Sequence, residues 1–128
     1  MDAIGTDVDV FSRTIDDPLL FYSNEADYKL YMNNYMMVGA SYYDNSILTI
    51  MLTSGDKNGK YTITKIHPGN DMLLCKMQAE DAGWTYWKTE GTRYWYTASF
   101  RGETIYLILT SEGSQGSNAK YVTIMRTE

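Results

Sequence analysis

The chain has 128 residues, 44% of them hydrophobic and 21% charged, with a net charge of −5. That length fits one domain with a real hydrophobic core, and the balance excludes wholesale disorder. No apolar run approaches the roughly 18–20 residues that cross a bilayer as a helix, so no membrane partner is expected. The start, Met1 to Asp7, has neither a basic nor an apolar leader segment, so the expected location is the cytoplasm or a virion rather than the secretory route.

The negative excess is local. Residues 1–30 hold Asp2, Asp7, Asp9, Asp16, Asp17, Glu25 and Asp27 against Arg13 and Lys29, and the remaining chain is neutral. An acidic arm of this kind suits a basic partner surface and repels nucleic acid. Within it, Val8 and Val10 alternate with Asp7 and Asp9, the pattern of a short edge strand. Asp16-Asp17-Pro18 is a turn or helix-start signal. Ser23 is placed to cap a short helix over residues 24–33 with Ala26 and Leu30 on one face, closed by Asn33-Asn34. Residues 1–34 therefore read as an acidic arm with one short helix, and residues 35–128 as an antiparallel β domain.

From Tyr35 the period becomes two. Eight strands are predicted, over residues 35–43, 47–53, 61–66, 71–79, 83–88, 93–100, 103–110 and 119–126, joined by short polar turns. Connections this short join antiparallel neighbours and leave no room for a crossover helix. The expected architecture is mainly β, a small barrel or a two-sheet sandwich, because a single open sheet would leave adhesive edges.

Sorting the strands by face raises a question. Leu48, Ile50 and Leu52 form an obvious core side, as do Ile105, Leu107 and Leu109. Their opposite sides carry Thr49 and Met51, and Tyr106 and Ile108, which is unusually apolar for a face meant for water. An aromatic hairpin adds to this. Trp84 and Tyr86 point one way and Trp87 the other, while Tyr94 and Tyr96 oppose Trp95. One core absorbs one face, and the other must meet something: another subunit, a ligand, or residues 1–34 of the same chain. Trp84, Trp87, Tyr94, Trp95 and Tyr96 are the predicted binding residues, since Trp and Tyr are enriched at interface centres.

Chemistry is sparse. One histidine, His67, and one cysteine, Cys75, cannot build a multi-histidine metal site or an internal disulfide. His67-Pro68-Gly69-Asn70 reads as a turn, and Cys75, alternating with Leu73 and Met77, as a buried small hydrophobe. Asp56-Lys57-Asn58-Gly59 has the middle of a calcium loop but Ser54 and Lys65 where its end ligands belong, so it reads as a hairpin turn. Asp71, Glu80, Asp81, Glu90, Glu103 and Glu112 fall at predicted strand ends and turns, the usual solvated positions. No catalytic residue, metal or cofactor is expected. Lys88, Arg93 and Arg101 interleave with aromatics, but a neutral body behind an acidic arm lacks the basic field that phosphates require.

Gly83-Trp84-Thr85, Trp87-Lys88, the run Leu107 to Gly113 and Lys120 resemble the later strands of avidin-type biotin barrels. The Gly-Thr-Trp opening strand of that family and an Asp near the C-terminus are missing, so the resemblance is one of hairpin chemistry and carries over neither biotin binding nor a site residue.

The expected function is that of a non-catalytic interaction protein. It acts through the aromatic β surface and the acidic arm, self-associating or docking as a structural subunit of a viral particle or another assembly. The first alternative is a carrier of a small apolar or aromatic ligand. The second is an acidic inhibitor that covers the nucleic-acid-binding site of a host protein.

Overall fold

The computed structural model describes residues 3–53, 61–113 and 117–126. The predicted turn at Asp56–Gly59 and the centre of the Glu112–Asn118 loop lie outside them.

Eight antiparallel strands are present, as expected, together with two short helices: α1 (Val8–Thr14), β1 (Leu20–Asn24), β2 (Lys29–Met32), β3 (Met36–Ala40), β4 (Ile47–Leu52), α2 (Met72–Asp81), β5 (Thr85–Glu90), β6 (Arg93–Phe100), β7 (Glu103–Ser111) and β8 (Ala119–Arg126). In place of a closed barrel or a sandwich they form one sheet, ordered β1-β2-β3-β4-β8-β7-β6-β5. Two four-stranded meanders meet where β4 pairs with β8. The sheet edges are short and interrupted. β1 has a bulge at Tyr22 and β5 one at Trp87, a device that twists an edge away from further pairing.

Two predicted strands are absent and two others take their place. Residues 72–79 lie in α2, not in a strand. Asp71 caps the helix, its carboxylate accepting from the N–H groups of Leu73 (2.9 Å) and Leu74 (3.2 Å). The run Met72 to Asp81 contains good helix formers and no β-branched residue. Met72, Cys75 and Ala79 are buried at helical spacing, whereas Leu73, Leu74 and Met77 are exposed. Both faces being apolar, alternation was free to imitate a strand. The helix ends in a Schellman turn: Gly83, at φ +97°, donates to the Glu80 carbonyl and Trp84 to that of Ala79, both at 3.0 Å. The predicted turn at residues 80–82 is thus the last turn of α2. Residues 61–66 form only a tight bridge between Ile63 and Ile66.

In the acidic arm the elements trade places. Val8 and Val10 belong to α1, because Asp7 accepts from the N–H groups of Asp9 and Val10 and starts a helix instead of an edge strand. The predicted helix 24–33 is the turn and second strand of the β1–β2 hairpin. Ser23 donates to the Glu25 carboxylate rather than capping, and the Glu25 N–H donates to the Tyr28 carbonyl to close the turn. The Asn33 side chain accepts from the N–H groups of Tyr35 and Met36 and so turns β2 into β3. The sheet therefore begins at Leu20.

The register assigns the core to one face. Met36, Val38 and Ala40, Ile50 and Leu52, Val122 and Ile124, Ile105, Leu107 and Leu109, and Tyr96 are buried side by side across β3, β4, β8, β7 and β6. Val8 of α1, Ile63, Ile66, Trp84 and the inner side of α2 cover them. No helix among the described residues is long and apolar enough to cross a membrane.

Leu107→Ala should cost about 2–5 kcal/mol in urea denaturation, while Leu73→Ala, on the exposed side of α2, should cost under about 0.5 kcal/mol. Burial also pushes the Cys75 thiol up to about 11 and the Tyr96 hydroxyl up to about 12, with nearby acidic groups adding to both. The unfolded chain sheds these protons first, from about pH 9 for the thiol and 10 for the phenol. Their contribution to stability is therefore full below about pH 9 and lost as pH rises to about 12, which thermal melts across that range would register as a falling Tm.

Candidate functional site: the uncovered face of the sheet

Among the described residues, no helix lies over the opposite face. Pairing places Leu30 and Met32 beside Gly39 and Met37, then Thr49 and Met51, Thr123 and Met125, Tyr106, Ile108 and Thr110, and finally Trp95 and Thr97. All of these except Met32, Tyr106 and Thr97 line an open groove of about 640 Å³. Its floor is Met37, Met51, Met125, Leu30, Leu48, Ile108 and Trp95, with the hydroxyls of Thr49, Thr110 and Thr123 among them. Leu48 reaches the floor through a bulge: Gly39 pairs with Thr49 and Ala40 with Ile47, which leaves Leu48 as the extra residue.

One wall is the β1–β2 turn. Tyr28 lies flat over Gly39, where a Cβ would stand 3.0 Å from its ring and 2.8 Å from Thr49 Cγ2. Glycine is needed here for close approach rather than for an unusual φ, the same economy by which an aromatic ring covers a glycine in a sheet. The rim carries charge of both signs. Asp27 and Arg93 are exposed, and Arg126 donates from Nη2 to Ser46 Oγ (2.8 Å) and pairs with Glu103 (3.5 Å). The Trp95 indole N–H and Arg126 Nε are buried with no hydrogen-bond partner among the described residues.

The five predicted binding residues divide between the faces. Tyr96 is 1% exposed and Trp84 3%, both within the core cluster. Tyr94 packs against that cluster beneath the Lys76 ammonium, 3.8 Å from its ring centre. Trp87 and Trp95 belong to the uncovered face. With Tyr106 they form a triangle of rings whose centroids are 5.7–6.0 Å apart, continuing the groove towards β5. The β5 bulge brings Lys88 to the same side, its ammonium 4.1 Å from the Trp87 ring and 5.1 Å from that of Trp95. Sequence reasoning missed Met37, Met125, Leu30, Tyr28 and Gly39. The apolar outer faces of β4 and β7 signalled this surface, and Met37 and Met125 extend it on the neighbouring strands β3 and β8, but nothing local indicates that Tyr28 crosses to Gly39.

Among the described residues, no group of three or more His, Cys, Asp or Glu is placed to hold a metal ion. No protein-family model matches the chain, and no curated protein or solved structure is detectably similar to it.

Gly39→Ala should destabilise by about 1–3 kcal/mol, since both neighbours must shift. In the Tyr28→Ala background the penalty should shrink, because one of the two obstacles is gone. A urea double-mutant cycle reads the coupling.

Proposed function

We propose that the protein is a non-catalytic binding protein whose groove takes a small apolar or aromatic ligand. The carrying observation is the Met37, Met51, Met125, Leu30, Leu48 and Ile108 floor, which no helix among the described residues covers, in a concave space of about 640 Å³. Ligand sites fall in this range of volumes and share this make-up, an apolar lining with a few convergent polar groups. Methionines suit ligands of variable shape because the unbranched thioether re-packs cheaply. Trp95 gives an aromatic end wall, and the threonine hydroxyls and Arg93 supply orientation.

The chain should enhance and blue-shift the emission of an anilinonaphthalene sulfonate dye. Met51→Asp should weaken dye binding at least about tenfold by placing a charge on the apolar floor. Met77→Asp, on the exposed side of α2, should leave it unchanged. Equal dye binding by native chain and Met51→Asp would remove this reading.

Assembly is the second reading, favoured by the exposed outer side of α2. Leu73, Leu74 and Met77 stand 67%, 45% and 55% exposed on a helix whose inner side is already packed. Apolar side chains gathered in this way are typical of an interface. Light scattering across a hundredfold concentration range should then give a mass that rises with concentration in the native chain and stays monomeric in Leu74→Lys.

A further inference from the structure

The two edges of the sheet are not alike. β5 carries Lys88 and Glu90, ion-paired at 3.3 Å, and charge along an edge discourages further strand pairing. β1 carries none: Leu20, Phe21, Tyr22, Ser23 and Asn24 are uncharged. Leu20 is 72% exposed, Phe21 54% and Tyr22 65%, an unusual concentration of large apolar side chains on five residues. Among the described residues β1 pairs only with β2, so its outer row of N–H and C=O groups faces away from the sheet.

Charge lies at its ends instead. Asp16 and Asp17 precede the strand and Glu25 and Asp27 follow it, with no basic residue from Asp16 to Tyr28. A second copy of the chain is a poor occupant for this edge. Paired antiparallel about Tyr22, Asp17 of one copy would oppose Asp27 of the other, and paired in parallel each acid would meet its own counterpart. Like charges directly opposite each other destabilise a strand pair. The complementary occupant has an apolar or β-branched centre of about five residues with lysine or arginine at both ends. Backbone hydrogen bonds to the edge would supply affinity, and alternate side chains and terminal charges would supply choice.

We propose that β1 is a docking edge for an extended, basic-flanked apolar segment of a partner protein, which adds to the sheet as a ninth strand. This does not depend on the groove being filled, since the edge and the groove floor use different residues. It also gives the acidity of residues 16–27 a role, that of selecting the partner's ends.

The test uses two capped, dye-labelled nonapeptides with a centre of alternating Val and Thr. One has two Lys at each end, the other two Glu. Fluorescence anisotropy with the full chain should show binding of the Lys peptide, at least about tenfold tighter than the Glu peptide, and weakening as salt screens the flanks. The double variant Leu20→Lys, Tyr22→Lys should lose at least about tenfold in affinity while keeping its Tm and its binding of the groove dye. Asp16→Asn with Glu25→Gln should narrow the preference for Lys over Glu several-fold. Equal binding of the two peptides, no binding of either, or full affinity in the double Lys variant would each overturn the proposal. So would a dimer of the native chain that the Lys peptide dissociates, which would give the edge to a second copy.

Discussion

The pairing of β4 with β8 is the contact on which the rest of the molecule depends. Thr49 to Leu52 and Val122 to Met125 come from opposite halves of the chain, and their ladder joins two meanders that would otherwise be separate four-stranded sheets. Four residues of this pair, Ile50, Leu52, Val122 and Ile124, are buried at the centre of the core. The alternate four, Thr49, Met51, Thr123 and Met125, line the centre of the groove. A side-chain period of two makes both surfaces consequences of one register, and a slip by a single residue would exchange them.

The two faces meet water on different terms. Both helices and the segment from Ile63 to Trp84 are spent on the core face, where they cover Leu107, Leu109 and Val38 completely. Among the described residues, no helix covers the groove face, and Tyr28 from the first hairpin turn forms part of its wall; Leu30, Leu48 and Ile108 are nonetheless buried. Bulges at Leu48 and Trp87 belong to the same geometry, since each adds local twist and redirects a large side chain onto this face.

The later strands were legible in the sequence because their signals are local. Residues 93–100, 103–110 and 119–126 alternate cleanly between turn residues, and the structure follows them closely. α2 was not read as a helix because Leu73, Leu74 and Met77 make its outer side apolar too, although the Asp71 cap, the lack of β-branched residues and the stop at Gly83 were all local signals for one. The first hairpin was masked by polar and acidic residues that read as an arm, although Leu30, Tyr31 and Met32 are ordinary strand material. For the site, the doubly apolar strands predicted a second apolar face, and the structure has one, lined by Met37, Met51, Met125 and Ile108. Alternation within each strand separated Trp84 from Trp87, and Tyr94 and Tyr96 from Trp95, as the structure has them, but it could not say which of the two sets belongs to the core. Tyr28 over Gly39 is a contact from the β1–β2 turn onto β3 that no spacing rule encodes.

The placement of β8 has a consequence for how the molecule is made. A chain synthesised from its N-terminus completes β4 long before β8 exists, so the middle of the sheet is closed last. Until residues 119–126 emerge, β4 and β7 are both open edges, and the apolar rows on their two faces are exposed together. Non-local pairing of this kind closes slowly compared with hairpins, since a long loop must be restrained before any bond rewards it. The half-made protein is therefore the state most exposed to aggregation, and the interval before its final strand arrives is the one in which a chaperone would have most to do.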